Sequence, residues 1–335
     1  MGKKFIIYQM LPRLFGNRNS NCVHNGSLAE NGSGKFCDIS VKVLEELKKL
    51  SVTHLWYTGI IRHATDGDTT AKGKAGSPYA IKDYYDVNPY MAAHPESRMS
   101  EFEELVSRTH SQGLKVLIDF IPNHLSREYD SAVKPFDDRN FYPGRIHDGD
   151  WTDTVKLNYG SRDTWEKMRD ILMFWAAKGV DGFRCDMVEL VTVDFWEWCI
   201  PQIKKIYPDI IFIAEIYQPH NYHPYIRRGG FDYLYDKSGF YDTLRAISTG
   251  HTPASSLTSV WQGLGDFQPN MLNFLENHDE QRVASDFFIG DPRRSMAMLY
   301  VSLLFNTAPF MIYFGQELGE RGMETEGYSG VDGRT

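Results

Sequence analysis

The chain has 335 residues, 42% of them hydrophobic and 24% charged, a balance that excludes a disordered chain and allows one large domain with a sizeable core. Its 36 Lys plus Arg against 44 Asp plus Glu leave a net charge of -8, which argues against nucleic acid and anionic membrane surfaces and favours a neutral ligand. No apolar run approaches the roughly 18 residues of a membrane span.

Met1-Gly2-Lys3-Lys4 leads into an apolar run too short for a signal-peptide core. The chain therefore reads as soluble, cytoplasmic as written, or secreted or periplasmic if a leader has been removed. A first strand is predicted over Phe5 to Met10. Asp38 is placed to cap a helix in which Ile39, Val43, Leu44, Leu47 and Leu50 recur at helical spacing. A strand near Thr53 to Tyr57 follows. Ser100 and Glu103 have the spacing of a capping box, and the strongly apolar strand Lys115 to Phe120 comes after Gly113. Residues 126–159 break into Asp, Gly, Pro and aromatic residues, a connection long enough to be a small subdomain overhanging the sheet.

Trp165, Met168, Leu172 and Trp175 predict the next helix, before a strand around Val180 to Arg184, a helix from Asp194 and a strand at Ile210 to Ala214. Further strands are predicted near Asp232 to Tyr235, Met271 to Leu275 and Pro309 to Phe314, with a helix from Pro292 to about Leu304 before the last. Eight strands alternating with helices point to a closed parallel (β/α)8 barrel, a TIM barrel, in three stretches: 1–125 and 160–335 as barrel and 126–159 as the inserted subdomain. Gly315 to Thr335 is rich in Gly and Glu, so the last stretch lacks a clear final helix and any carboxyl-terminal β domain, and reads as truncated.

The four cysteines, Cys22, Cys37, Cys185 and Cys199, form neither a disulfide framework nor a zinc pattern. Reduced thiols are the default, with Cys22 and Cys37 the one pair placed to close a bridge.

Chemistry is sought at the carboxyl-terminal ends of barrel strands. Four apolar runs deliver an acid there: Val116-Leu117-Ile118-Asp119, Phe183-Arg184-Cys185-Asp186, Ile213-Ala214-Glu215 and Leu275-Glu276-Asn277-His278-Asp279. Singly, each is an ordinary strand-end acceptor. Together on one rim they would repel one another and separate their pKa values, as the acid and base of glycoside hydrolysis require. Metal binding is the competing use. Arg184 stands two residues before Asp186, on the same face of one strand, where its guanidinium can hold the carboxylate ionised; a structural salt bridge is the alternative.

The same segments resemble the ordered short motifs of the alpha-amylase family, glycoside hydrolase family thirteen: Asp119-Phe-Ile-Pro-Asn123-His124, Gly182-Phe183-Arg184-Cys185-Asp186, Ala214-Glu215 and Asn277-His278-Asp279. The likeness extends to Tyr8 through Phe15, to Tyr79 ahead of Asp83-Tyr84-Tyr85, and to Tyr313 through Glu317. It implies a retaining α-glucan hydrolase acting on starch or maltooligosaccharides, with Asp186 as nucleophile, Glu215 as acid then base and Asp279 as transition-state stabiliser. It also implies that His124, His278 and Arg184 attend the sugar at the cleavage point, that Tyr79 stacks beneath its ring and that Arg282 reaches it. No cofactor is implied for the chemistry. Asn123 matches the position of a structural calcium ligand, or else is a supporting hydrogen-bonding residue.

Two departures bear on the subfamily. Glu189-Leu190 stands where many members carry Lys-His, and Val155-Lys156-Leu157-Asn158 resembles the form found in neopullulanases and cyclomaltodextrinases, although a barrel expected to begin at residue 5 leaves no room in this sequence for their extra amino-terminal domain. Alternatives are therefore a transglycosylase, a neopullulanase-like or α-1,6-specific enzyme, and a non-catalytic glycan-binding barrel.

Overall fold

Side chains alternate between the two faces of a strand, so a ring of short apolar strands creates one core inside it and another outside. A computed structural model describes residues 4–21, 23–65, 67–69, 71 and 73–322. Eight strands close the ring: β1 (Ile6–Met10), β2 (His54–Tyr57), β3 (Lys115–Phe120), β4 (Gly182–Cys185), β5 (Ile211–Ala214), β6 (Tyr233–Tyr235), β7 (Met271–Phe274) and β8 (Phe310–Tyr313). Each pairs in parallel with the next, and β8 returns to β1 in the register Ile6 with Phe310 to Gln9 with Tyr313. The (β/α)8 barrel expected from the strand count is thus the observed fold.

Ile7, Trp56, Leu117, Ile213, Tyr235, Leu272, Phe274 and Met311 form the inner core together with Tyr241, so that every strand except β4 contributes to it. Their neighbours Tyr8, Leu55, Ile118, Phe183 and Phe212 belong to the larger outer core beneath the helices. On β4 the inward positions are Gly182 and Arg184. A Cβ on Gly182 would lie 2.7 Å from both the Ile211 carbonyl oxygen and the Leu117 side chain, so only glycine fits there. The inner core is consequently thin at β4, and the long Arg184 side chain fills that space with its guanidinium.

Outside, the helix Arg162–Ala177 buries Met168, Ile171, Leu172 and Trp175, each contributing about 1.5 to 3 kcal/mol. The Trp175 indole N–H donates to the Tyr84 carbonyl, pinning this helix to the neighbouring connection. Several predicted boundaries shift. The helix expected from Asp38 is Val41–Lys49, capped by the Ser40 hydroxyl, while Asp38 closes a preceding 3-10 turn. The helix expected behind Ser100 begins earlier, at Arg98, so Ser100 lies in its first turn and forms no cap. Thr192 caps the helix Val193–Ile206, and a 3-10 turn Pro292–Ser295 precedes the helix Met296–Leu304.

Between β3 and β4 the segment 126–159 contributes to an antiparallel pair, His124–Ser126 with Thr154–Lys156. A second hairpin, Ile61–His63 with Ile81–Val87, follows β2 and was not anticipated, because Gly- and Thr-rich residues hide its short first strand. The Tyr84 hydroxyl donates to the Ile121 and His124 carbonyls at 2.6 and 2.9 Å, joining the hairpins over the rim. No helix among the described residues is long and apolar enough to cross a membrane. Cys185 and Cys199 are buried thiols. Cys22, and with it the suggested Cys22–Cys37 bridge, lies outside the described residues, as does the chain from 323 onward.

Candidate active site

The inward alternation places Gln9, Asp119, Arg184 and Glu215 at the carboxyl-terminal rim, with Asp186 just beyond β4. Arg184 is fully buried among the rings of Trp56, Tyr79 and Tyr235, 5.4 to 5.6 Å from their centroids. Its Nη1 donates to Asp186 Oδ1 at 2.8 Å and lies 3.6 Å from Asp119 Oδ1. Its Nη2 lies 2.8 Å from Glu215 Oε1, an ion pair by proximity in which the N–H is not aimed at the oxygen. One guanidinium therefore serves three acids.

That ratio decides the electrostatics. Burial pushes the Asp186 carboxyl well above the usual carboxylate range and the charge of Glu215 adds to it, while Arg184 opposes. Burial likewise raises Asp119 to about 6, although Arg184, the Trp56 indole and the Gly59 N–H pull it down. The expected contact between Arg184 and Asp186 is present, but it does not by itself keep Asp186 ionised. Asp186 and Asp119 are thus both raised by burial and both opposed by the one guanidinium.

Glu215 is held from several sides. The Met187 N–H donates to Oε2 at 2.9 Å, and the Tyr217 hydroxyl donates to Oε1 at 2.6 Å. Met187 adopts the left-handed region at φ 42°, a strained turn directly after Asp186 that aims this N–H at the acid.

Asp279 stands at the end of the β7 connection, its side chain 45% exposed, with His278 Nε2 3.3 Å from Oδ2. The Gln9 amide nitrogen lies 2.8 Å from His278 Nδ1. With that nitrogen as donor, the partners assign the ring proton to Nε2, facing Tyr79 Oη and Asp279. Burial pushes His278 down to about 3, with Arg184 adding, so the ring is neutral at neutral pH. Tyr79 stacks on His278 with ring centroids 5.4 Å apart and donates to Asp119 at 3.4 Å.

His124 is buried and pushed down to about 4 by that burial, its ring 5.1 Å from Trp151 of the inserted segment. Beside it Asn123 donates to Asp148 Oδ2 at 2.8 Å, while Lys156 Nζ donates to Asp148 Oδ1 at 2.7 Å. A calcium needs six to eight oxygens. Here Asn123 presents its amide N–H, and an ammonium already neutralises the nearest carboxylate. Among the described residues no group of three or more His, Cys, Asp and Glu could hold a metal ion. The residues around Asn123 thus do not fit the calcium suggested by its position, and the supporting role describes them better. Adding chelator or about 1 mM calcium is accordingly expected to leave Tm within about 1 °C. A site filled at about 100 times its Kd would instead add about 2.7 kcal/mol, visible as a clear rise in a thermal melt.

Arg282 needs correction. It is 1% exposed, donates to the Phe314 carbonyl at 2.7 Å and to Glu276 Oε2 at 3.1 Å, and packs on the Tyr313 and Phe314 rings. These contacts make it the partner of a buried acid behind the rim rather than a sugar ligand. Conversely, Gln9, Trp56, Trp151 and Tyr217 reach the site without having been singled out. Gln9 carried a signal, a polar residue on the inward face of an apolar strand. The backbone N–H of Met187 carried none.

A sequence profile of the alpha-amylase catalytic domain matches residues 9–156 and 146–334. The chain belongs to the alpha-amylase family. This family member is 24% identical to Alpha-amylase 3 of Dictyoglomus thermophilum, over 90% of this chain and 64% of the relative. It is also 24% identical to Neopullulanase 2 of Thermoactinomyces vulgaris, over 96% of this chain and 57% of the relative. It therefore spans less than two thirds of the length of these curated relatives. Among solved structures, an alpha-amylase from Lactobacillus plantarum matches with a TM-score of 0.75 at 26% identity, covering 94% of this chain and 71% of that one. The cyclic alpha-maltosyl-(1-->6)-maltose hydrolase of Arthrobacter globiformis shares the fold, with a TM-score of 0.75 at 20% identity over 99% of this chain and 77% of that one.

Proposed function

We propose that the chain is the catalytic barrel of a retaining glycoside hydrolase that cleaves α-1,4-glucosidic bonds in starch or maltooligosaccharides. The observation that carries this reading is the convergence of acids launched from β4, β5 and β7 on one rim, with Asp186 and Glu215 both against the guanidinium of Arg184. A pair so close suits the spacing of about 5 to 5.5 Å that retaining chemistry uses.

In the first step an Asp186 oxygen bonds to the anomeric carbon while the glycosidic C–O bond breaks, and the leaving oxygen takes a proton from Glu215. In the second, Glu215 removes a proton from water, the water oxygen attacks the anomeric carbon, and the Asp186 ester bond breaks. The first step requires a proton on Glu215 and an ionised Asp186. Asp279, at the open mouth, is the acid best exposed to bind sugar hydroxyls; neutral His278 and His124 offer further hydrogen bonds, and Tyr79 an aromatic ring for stacking. No step calls on a metal or organic cofactor.

Maltoheptaose hydrolysis followed by proton NMR is expected to release the α-anomer first, before mutarotation. Initial formation of the β-anomer would contradict a covalent Asp186 intermediate. The names of the relatives also leave room for α-1,6 or transfer chemistry, which chromatography of products from starch, pullulan and isomaltose separates. A barrel that binds these glucans and turns over none of them would be a binding module.

A further inference from the structure

Glu189, the first residue of the Glu189-Leu190 departure, has its side chain committed to the protein rather than left open. It sits on the 3-10 turn Val188–Leu190 after β4 and reaches across to the connection after β5. Its Oε1 accepts from the Tyr217 N–H at 3.4 Å, and its Oε2 accepts from the Gln218 N–H at 3.2 Å and from Asn221 Nδ2 at 3.1 Å. Three donors on one carboxylate fix the backbone that carries Tyr217. The Tyr217 hydroxyl in turn donates to Glu215 Oε1 at 2.6 Å.

This arrangement distinguishes the two oxygens of Glu215. Oε1 faces the charge of Arg184, which cannot accept a hydrogen bond from a proton placed there, and the Tyr217 hydroxyl, which already donates to it. Oε2 receives one donor, the Met187 N–H, and keeps a lone pair for a proton. We propose that Tyr217, held in place by Glu189, is a positioning residue for the acid step, anchoring Oε1 of Glu215 so that Oε2 carries the transferred proton. The inference rests on the reading of Glu215 as the general acid. Without the hydroxyl, the carboxyl group can turn, and the proton can settle on the oxygen that points at no leaving group.

A leaving group that needs no proton tests this directly. Tyr217→Phe is expected to lower kcat on maltoheptaose about 10- to 100-fold, within the range of a misplaced general acid, with KM changed less than about threefold. On a maltosyl fluoride or a 2,4-dinitrophenyl maltoside, whose leaving groups depart as anions, kcat/KM, which reports the first step alone, should fall less than about threefold in the same variant. Glu189→Ala should show the same selectivity more weakly, and Glu189→Gln, which retains one acceptor oxygen, should recover part of it. Equal losses on both substrate types would show Tyr217 to be merely structural, and an unchanged maltoheptaose rate would show its bond to be idle; either overturns the proposal. Glu215→Ala is the separate control on the premise. If its kcat/KM on the activated substrate is not spared relative to that on maltoheptaose, the acid assignment itself falls, whatever Tyr217→Phe does.

Discussion

Asp186→Asn is expected to lower turnover of maltoheptaose by a factor on the order of 10⁴ or more while the protein remains folded, because an amide oxygen cannot form the glycosyl ester on which both steps depend. The substitution is nearly isosteric and its carbonyl can still accept from Arg184 Nη1, which donates to Asp186 at 2.8 Å. Stability should move in the opposite direction to activity. The folded Asp186 carboxyl is raised above its unfolded value by burial and by Glu215, so the native state holds more protons than the unfolded chain, and stability declines as pH rises through that window. Asn removes this liability. The variant should therefore melt at or above the wild-type temperature at pH 7.5, with the two curves converging toward pH 4. Calorimetry at the two pH values and a stopped glucan assay check both halves, and turnover within tenfold of wild type would remove Asp186 from the nucleophile's role.

Arg184→Met should be the most damaging single change to the fold of the rim. It leaves Asp119, Asp186 and Glu215 buried without their shared cation, and breaking a buried pair from one side costs about 3 to 5 kcal/mol. The pH dependence has a definite sign. Asp119 already stands near 6 with Arg184 pulling it down, so its folded value and that of Asp186 rise further in the variant. Carboxyls raised above their unfolded values destabilise increasingly as pH rises, and are relieved once protonated. The difference from wild type should thus be large at pH 8 and shrink by pH 5, measured by urea unfolding at both. An equal deficit at the two values would mean that lost packing against Trp56, Tyr79 and Tyr235, rather than uncompensated charge, dominates.

The strands were legible because a strand between Gly- or polar-rich connections declares itself through local composition. Phe5 to Met10, Lys115 to Phe120 and Met271 to Leu275 were each placed within a residue of the observed limits. Helix starts were less legible: Asp38 and Ser40 are both good caps, and only the path of the chain decides which hydroxyl or carboxylate meets the first free N–H. Arg282 illustrates the same limit at the site. Nothing in Asp279-Glu280-Gln281-Arg282 says that the guanidinium turns back to Glu276 and Phe314 instead of facing the cleft.

The amino-acid order alone determined the eight strands and the acids at their ends, since local composition marks a strand and its boundary without reference to a neighbour. Closure of the ring decided the rest. Gln9 meets His278 across 269 positions of sequence, Trp56 meets Asp119 across 63, and Glu189 reaches the Tyr217 backbone across 28. Such pairings are set by which strands lie side by side and how far each connection leans over the rim, and they fix where protons reside and how each acid is held. Charge and burial are properties of that assembled neighbourhood, which is why one arginine shared by three acids, rather than the Arg184-Cys185-Asp186 spacing, governs the electrostatics of the site.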